Sequence, residues 1–322
     1  MAQDHFVAQT YLKHWANPHS GMLHGYGKLS GKEFPCAPKD VCRAWDWDVN
    51  PYFEHNPGLL GEYRKIFEPQ WNPMLATVRS GRVSAEDKFA LAGYWALLTT
   101  CTPTWHRNAV KVAEGLVADF IPLVARHLAN EKPEYRDFVE EALAKNWIKP
   151  NPDEQHIKAI LTQQLTRTTL LLYQLDWTFL QNRTEAAFIT SDNPSSVLPR
   201  RPFSNNLVRF LPLAPDFALV TVIDPTTTRL ADLPDLEKAP PGRVSRARVT
   251  RKQAARLNRV TVMNADELIL SAKADRPVRR LVRNHRDFNL AVEHTRFATP
   301  SGGHINGATM VVRRERSTAQ RS

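Results

Sequence analysis

The sequence predicts an α+β fold, with a helical first half packed on a mostly antiparallel sheet in the second half. Two observations carry that reading. Helical periodicity dominates from about residue 59 to 182. From Ala186 onward the apolar residues come instead in short runs between turn-rich segments, as strands do. At 322 residues and 42% hydrophobic, the chain has ample material for one large core. The expected layout is a single domain over 1–300, sheet-rich over about 186–290, followed by a flexible basic tail at 301–322.

The elements follow in order. Val7, Tyr11, Leu12 and Trp15 share one helical stripe until "NPHSG" breaks it. "MLHGYGKLSGKEF" alternates loosely around Gly-rich turns, which predicts two short strands. In "RAWDWDVNPYF", alternation puts Trp45 and Trp47 on one side and Asp46 and Asp48 on the other, the pattern of a half-buried strand. A helix covers Leu59 to Arg79, kinked or divided by Pro69 and Pro73. Ser84, with Asp87 three residues later, is a capping-box-like start for the helix "KFALAGYWALLTT", which Pro103 ends. Two more helices run from about Trp105 to Asn130, bent near Pro122, and from Tyr135 to Trp147. After "KPNPDE" one long helix carries Ile157, Ile160, Leu161 and Leu165 and ends near Gln181. Strands "AAFIT", "LVRFLPL" and "FALVTVI" follow, then a Pro-rich connector, "DLPDLEKAPPGR". The helix "TRKQAARLNRVTVMNA", the strand "ELILS" and the short helix "RPVRRLVRNH", with Pro at its start, complete the order.

Charge is concentrated late in the chain. The formal net charge is +10, and between Arg243 and Arg286 thirteen Lys or Arg stand against three acids, so the whole excess resides there. Such a region is the electrostatic footprint of a polyanion binder, with nucleic acid as the expected partner and DNA before RNA. Another anionic partner, or a merely solvated surface, is the alternative. No run approaches the roughly 18 apolar residues of a membrane span. The opening residues lack a basic leader and an apolar signal core. Cys36, Cys42 and Cys101 suit a reducing cytoplasm and lack the pairing of a zinc site. The expectation is a cytoplasmic protein with no membrane association, cofactor or metal. Walker, Rossmann and Gly-x-Ser-x-Gly motifs are absent, which disfavours NTP hydrolysis, dinucleotide chemistry and serine hydrolysis.

The stretch "AAFITSDNP" is the first candidate for chemistry, because a carboxylate and an amide sit where an apolar strand stops. Asp192 can act as general base or stabilise a developing cation, and Asn193 can orient a water or a substrate polar group. An Asx-turn or a helix N-cap explains the same residues without catalysis. His5 precedes a helix and can serve as acid, base or phosphate contact, with Gln9 at i+4 on the same face. His14, His19 and His24 match no ligand pattern. Trp45 and Trp47 are core rings or a stacking platform for an exposed base, with Asp46 and Asp48 a weak pair of metal ligands. Asn258, a mediocre helix former, caps a neighbouring loop or contacts substrate. Around it, Arg251, Arg256 and Arg259 offer a phosphate-facing surface that Arg279, Arg280 and Arg283 extend.

Several separated pieces together resemble one family. "HFVAQTYLKHWA" at 5–16 is similar to the His-aromatic-Val-Pro-Gln…Tyr-Leu opening of domain-of-unknown-function family 4238. "FITSDNP" resembles its most recognisable internal motif, and "LPLAPD" at 211–216 and "ARLNRVTVMNADELILS" at 255–271 resemble its later segments. Ala8 stands where the family usually has Pro. "CTPTWHR" at 101–107 lacks an Arg expected before the family's Pro, for which Arg107 is a substitute. Glu68 in "KIFEP" matches an acidic position of the family, although helical carboxylates such as Glu62 and Glu68 are usually solvated. The resemblance implies positions to test rather than an activity, and by analogy alone a role in defence against phage. The leading expectation is a hydrolase acting on nucleic acid, with a base-excising N-glycosylase ahead of a metal-dependent nuclease. A non-catalytic nucleic-acid-binding protein and a toxin-like interaction protein are the alternatives.

Overall fold

The computed structural model describes residues 3–145, 147–198, 207–223, 240–298 and 304–314. The chain opens with β1 (Gln3–His5), α1 (Gln9–Leu12), β2 (Leu23–Gly27), β3 (Glu33–Cys36) and β4 (Arg43–Trp45). Helices then dominate: α2 (Leu59–Phe67), α3 (Trp71–Ser80), α4 (Ala85–Thr100), α5 (Pro103–Glu131), α6 (Arg136–Ala144), α7 (Glu154–Gln163) and α8 (Leu165–Gln174). The second half holds β5 (Trp177–Asn182), β6 (Thr190–Ser191), β7 (Ser196–Val197), β8 (Leu207–Ala214), β9 (Phe217–Ile223) and β10 (Val244–Val249). It continues with α9 (Arg251–Asn264), β11 (Leu268–Ser271), α10 (Arg276–His285), β12 (Phe288–Ala298) and β13 (His304–Arg314). The fold is α+β, with helices mostly in the first half.

Strands group into a five-stranded sheet, β10-β5-β9-β8-β7, and a four-stranded sheet, β3-β2-β11-β6. Two-stranded ribbons β1-β4 and β12-β13 complete them. Pairing is antiparallel except between β10 and β5. The four-stranded sheet thus joins strands from both ends of the sequence, and it carries β6, the start of the SDNP turn.

The central helix is α4. Ser84 and Asp87 form the expected capping box, each side chain bonded to the other residue's backbone N–H. The helix is buried on nearly every side, as befits an apolar sequence enclosed by other elements. Trp71 of α3 stacks on Tyr94 at 4.3 Å, and Trp95 meets Trp177 of β5 edge-on at 6.0 Å. Gly93 lets α2 approach, since a Cβ there would lie 2.1 Å from the Phe67 ring. The Lys88 amine, buried in the same helix, donates to the carbonyls of Leu175 (2.8 Å) and Gly242 and lies 4.9 Å from the Trp177 ring. Burial pushes its pKa down to about 8.

Local rules hold at most boundaries and fail at a few. Pro69 does divide the helix expected over 59–79, through a single 3-10 turn at Glu68–Gln70. The long helix expected to reach Gln181 instead breaks at Gln164 and ends at Gln174, and residues 177–182 are strand β5. There Trp177 and Phe179 point inward with period two, and β9 and β10 pair on either side. Strand β10 escaped the sequence reading because its "SRAR" side chains are exposed and carry no apolar alternation. In "RAWDWD", Asp46 takes a left-handed φ of 47°, which ends β4 and breaks the alternation. Trp45 is consequently exposed, whereas Trp47 packs on Phe6 and donates to the Cys101 carbonyl. Residues 304–314, expected as part of a mobile tail, pair with β12. Most of the Pro-rich connector lies outside the described residues. The three cysteines are free and buried.

Candidate functional site

Pro194 has no N–H to donate and stops the ladder begun by β6, and the polar residues around it bond outward. The Asp192 carboxylate accepts the N–H groups of Asp266 (2.9 Å), Glu267 (2.7 Å) and Leu268 (2.9 Å), at the junction of α9 and β11. Asn193 donates to the Asn264 carbonyl (2.9 Å) and accepts the Thr102 hydroxyl (3.3 Å). Ser195 accepts from Trp95 Nε1 (2.8 Å) and from the Arg209 guanidinium (2.6 Å). Asn264 in turn exchanges two bonds of 2.9 Å with the Val197 backbone. Residues 191–197 therefore rivet α4, α5, α9 and β8 together. Asn193, expected to orient a water or substrate, is fully buried with both ends of its amide held by protein.

Asp192 differs from its neighbours because it also borders a cavity of about 420 Å³. Phe6, Cys42, Arg43, Pro103, Thr104 and Arg107 line it together with Asp266, Glu267 and Leu268. Burial pushes the Asp192 carboxyl up to about 6, against the three amide bonds that favour its charged form and with added repulsion from Asp266. Arg107 holds Asp266 bidentately, at 2.8 Å on both branches. Arg43 is exposed and takes part in no ion pair among the described residues. The Thr104 hydroxyl, on a residue only 2% exposed, has no hydrogen-bond partner among the described residues. Cys42 reaches this wall through a left-handed φ of 56°, which is uncommon without glycine.

A second polar cluster adjoins the same β1-β4 ribbon. Arg64 bonds Asp48 (2.9 Å) and Glu68 (3.0 Å), and its remaining nitrogen is buried without a partner among the described residues. Asp4 accepts the Asp48 N–H at 3.1 Å, and Lys158 donates to the Val49 carbonyl at 3.2 Å above the Trp47 ring. Burial raises the carboxyl pKa of both Asp48 and Glu68, with Arg64 opposing the shift. His5 contacts the Lys39 carbonyl at 3.1 Å. Its pKa is lowered, first by burial and further by the nearby Arg43 and Arg64 cations, while the Lys39 carbonyl opposes. Glu68 is thus bonded to Arg64, His5 feels the Arg64 charge without an ion pair or hydrogen bond to it among the described residues, and Asp192 borders the cavity. The two groups share a wall, because Arg43 pairs with His5 across the ribbon and also lines the cavity. Among the described residues no three His, Cys, Asp or Glu side chains gather as a metal site.

The family model described as "Protein of unknown function (DUF4238)" matches residues 3–275. The chain belongs to this family. No curated protein matches the chain, and no solved structure does. The matched region of this DUF4238 member spans both polar clusters and the rivet. Its Asn258 bonds the Ala187 carbonyl (2.7 Å) and the Ile189 N–H (3.2 Å), so it fixes the approach to β6 as a cap does. Gln9 is half-buried at the start of α1, and His5 lies in a strand, so the helical face expected to unite them is not formed. Arg256 and Arg259 are exposed on α9. On α10, Val278 and Val282 face inward while Arg279, Arg280 and Arg283 face outward, with Arg279 bonded to Glu33 at 2.9 Å. Phe6, Arg43, Thr104 and Arg64 were invisible as site residues, since nothing local marks them. A non-glycine left-handed turn beside Arg43 is a signal that only coordinates supply.

Proposed function

We propose that this DUF4238 protein is a hydrolase acting on nucleic acid, with the N-glycosidic bond of a DNA nucleotide as its target. The observation that supports this reading is Asp192, a buried carboxyl with a pKa of about 6 on the wall of a 420 Å³ cavity. That size falls within the roughly 300–1,000 Å³ of small-molecule sites. An extruded base can rest against Phe6 while Asp192, ionised at neutral pH, faces the sugar. As the C1′–N bond breaks, the base leaves with its bonding electrons and takes a proton from solvent, to which Asp192 later returns the proton it removes from the attacking water. The carboxylate stabilises the oxocarbenium-like centre and takes a proton from the water that adds to C1′. His5, Glu68 and Asn193 support the walls, through the ribbon and the rivet. The exposed arginines of α9 and α10 grip the backbone.

The alternative favoured by a specific observation is a non-catalytic nucleic-acid-binding protein, since both Asp192 oxygens already accept backbone amides. A metal-dependent nuclease needs converging carboxylates, which the described residues do not gather. A place in defence against phage is kept as part of the proposal and is tested by the DNA chosen. Incubation with unmodified and phage-modified DNA, with and without chelator, is expected to generate abasic sites without metal dependence. D192N should lower the rate at least 100-fold, with folding checked by thermal melting. Undiminished activity in a folded D192N protein removes Asp192 from the chemistry. If D192N does not fold, Phe6→Ala is the second variant, and an unchanged KM there removes the cavity.

A further inference from the structure

We propose that the apolar face of α5 and α6 is a homodimer interface, in which α5 lies antiparallel against α5 of a second copy of this chain about a two-fold axis near Pro122 and Leu123. The inference goes beyond the hydrolase reading and does not depend on it.

The face is apolar where it meets solvent. Along α5, Val117, Phe120, Leu123, Val124 and Leu128 recur at helical spacing and are 40–64% exposed. Phe138 of α6, 60% exposed, joins them beside a groove of about 610 Å³. The inner side of α5 is already occupied, since Ala125 and Ala129 pack on Val139 of α6 in a small core of their own. A contiguous exposed apolar surface of this kind marks an interaction site.

Charge selects the occupant. Over residues 111–145 five Lys or Arg stand against seven acids, the reverse of the balance over 243–286. An anionic membrane surface calls for a basic polar face instead. The charges do fit a second copy. Asp119 and Arg126 are seven residues apart and so lie along one edge of the apolar stripe. Glu114 and Lys132 are eighteen apart, five helical turns, and lie along the other edge. In an antiparallel pair with two-fold symmetry, each edge meets the same edge of the other copy. A residue before the axis then faces one equally far beyond it. The midpoint of Asp119 and Arg126 falls between Pro122 and Leu123, and that of Glu114 and Lys132 falls at Leu123. One axis therefore sets acid against base on both edges. The same register brings Val117 to Leu128 of the second copy and Phe120 to its Val124, apolar against apolar. His127 and Glu131, at the carboxyl end of the stripe, pair with each other at 3.3 Å. Because α5 opens on the cavity wall at Pro103 and Thr104, the dimer carries its two cavities at opposite ends.

Sedimentation velocity on the full chain tests this. A dimer with a Kd of about 10 µM or tighter is expected, and F120D should weaken it about 100-fold with the melting temperature maintained. R126D alone sets like charges across the axis and should weaken the dimer about tenfold. Adding D119R to that chain restores opposite charges and should recover most of the loss. If D119R/R126D melts well below the wild type, K132E with and without E114K gives the same reading on the other edge. A chain still monomeric at about 100 µM, a dimer indifferent to F120D, or no recovery in a folded charge-swapped chain overturns the proposal. Flotation of a monomer with phosphatidylcholine vesicles, abolished by F120D, would assign the face to a membrane surface and overturn it as well.

Discussion

At the scale of single residues, Asp192 shows burial and hydrogen bonding acting on one carboxyl in opposite directions. Its three amide bonds favour the carboxylate, yet burial outweighs them and the pKa settles at about 6. The linkage has a definite sign. A carboxyl whose folded pKa lies above its unfolded value of about 3.9 contributes stability below that value and loses it as pH rises through 6. Between pH 4.5 and 7.5 the stability of the wild type relative to D192N should fall by about 2 kcal/mol, read from urea melts. A difference that does not move with pH would put the folded carboxyl back in the ordinary range. Asp192 was legible in the sequence because an apolar run ending in Ser-Asp-Asn-Pro is a local anomaly. Its cavity partners were not, because Phe6, Arg43 and Thr104 come from distant segments with no shared pattern. Asn193 was legible as unusual and misleading as to role, whereas Asn258 fills the first of its two expected roles and caps the loop before β6; both hold backbone groups that only the folded chain brings to them.

At the scale of elements, the periodic helices were read well and the strands unevenly. Strands β8 and β9 carry continuous apolar runs, whereas β10 displays its arginines and β6 contributes only two residues to a ladder. Strand β5 followed a leucine-rich helix closely enough to be absorbed into it, and its identity is set by partners on both edges. Tertiary contacts decide such cases because strand preference is largely packing against neighbours. Packing also reverses the propensity expectation in α4. Gly93→Ala gains about 1 kcal/mol of helix propensity, but its Cβ would collide with the buried Phe67 ring. Overpacking of this kind costs about 1–3 kcal/mol. The variant should therefore be less stable by up to about 2 kcal/mol, with the deficit relieved in Gly93→Ala combined with Phe67→Leu. A more stable single variant would mean that α2 yields freely.

At the scale of the whole molecule, the charge excess of residues 243–286 is carried on β10, α9 and α10, largely by exposed side chains. Among the described residues no helix is long and apolar enough to cross a membrane. If the basic surface grips a nucleic-acid backbone, charge reversal at Arg280 and Arg283 should flatten the slope of log K against log salt by about 0.9 for each phosphate no longer neutralised. Arg279 should show an extra loss of stability, since it also ties α10 to Glu33 of β3. Affinity for DNA that is independent of salt would remove the surface from the interaction.

The strongly periodic helices, the cap at Ser84 and the location of the positive charge were determined by the sequence itself, because each is encoded within a few neighbouring residues. Only the tertiary structure decided that Asp192 borders a cavity, that Asn193 does not, and that Arg43 and Thr104 stand beside it. Desolvation and hydrogen-bond satisfaction depend on what packs around a group, and the groups that pack here are far apart along the chain.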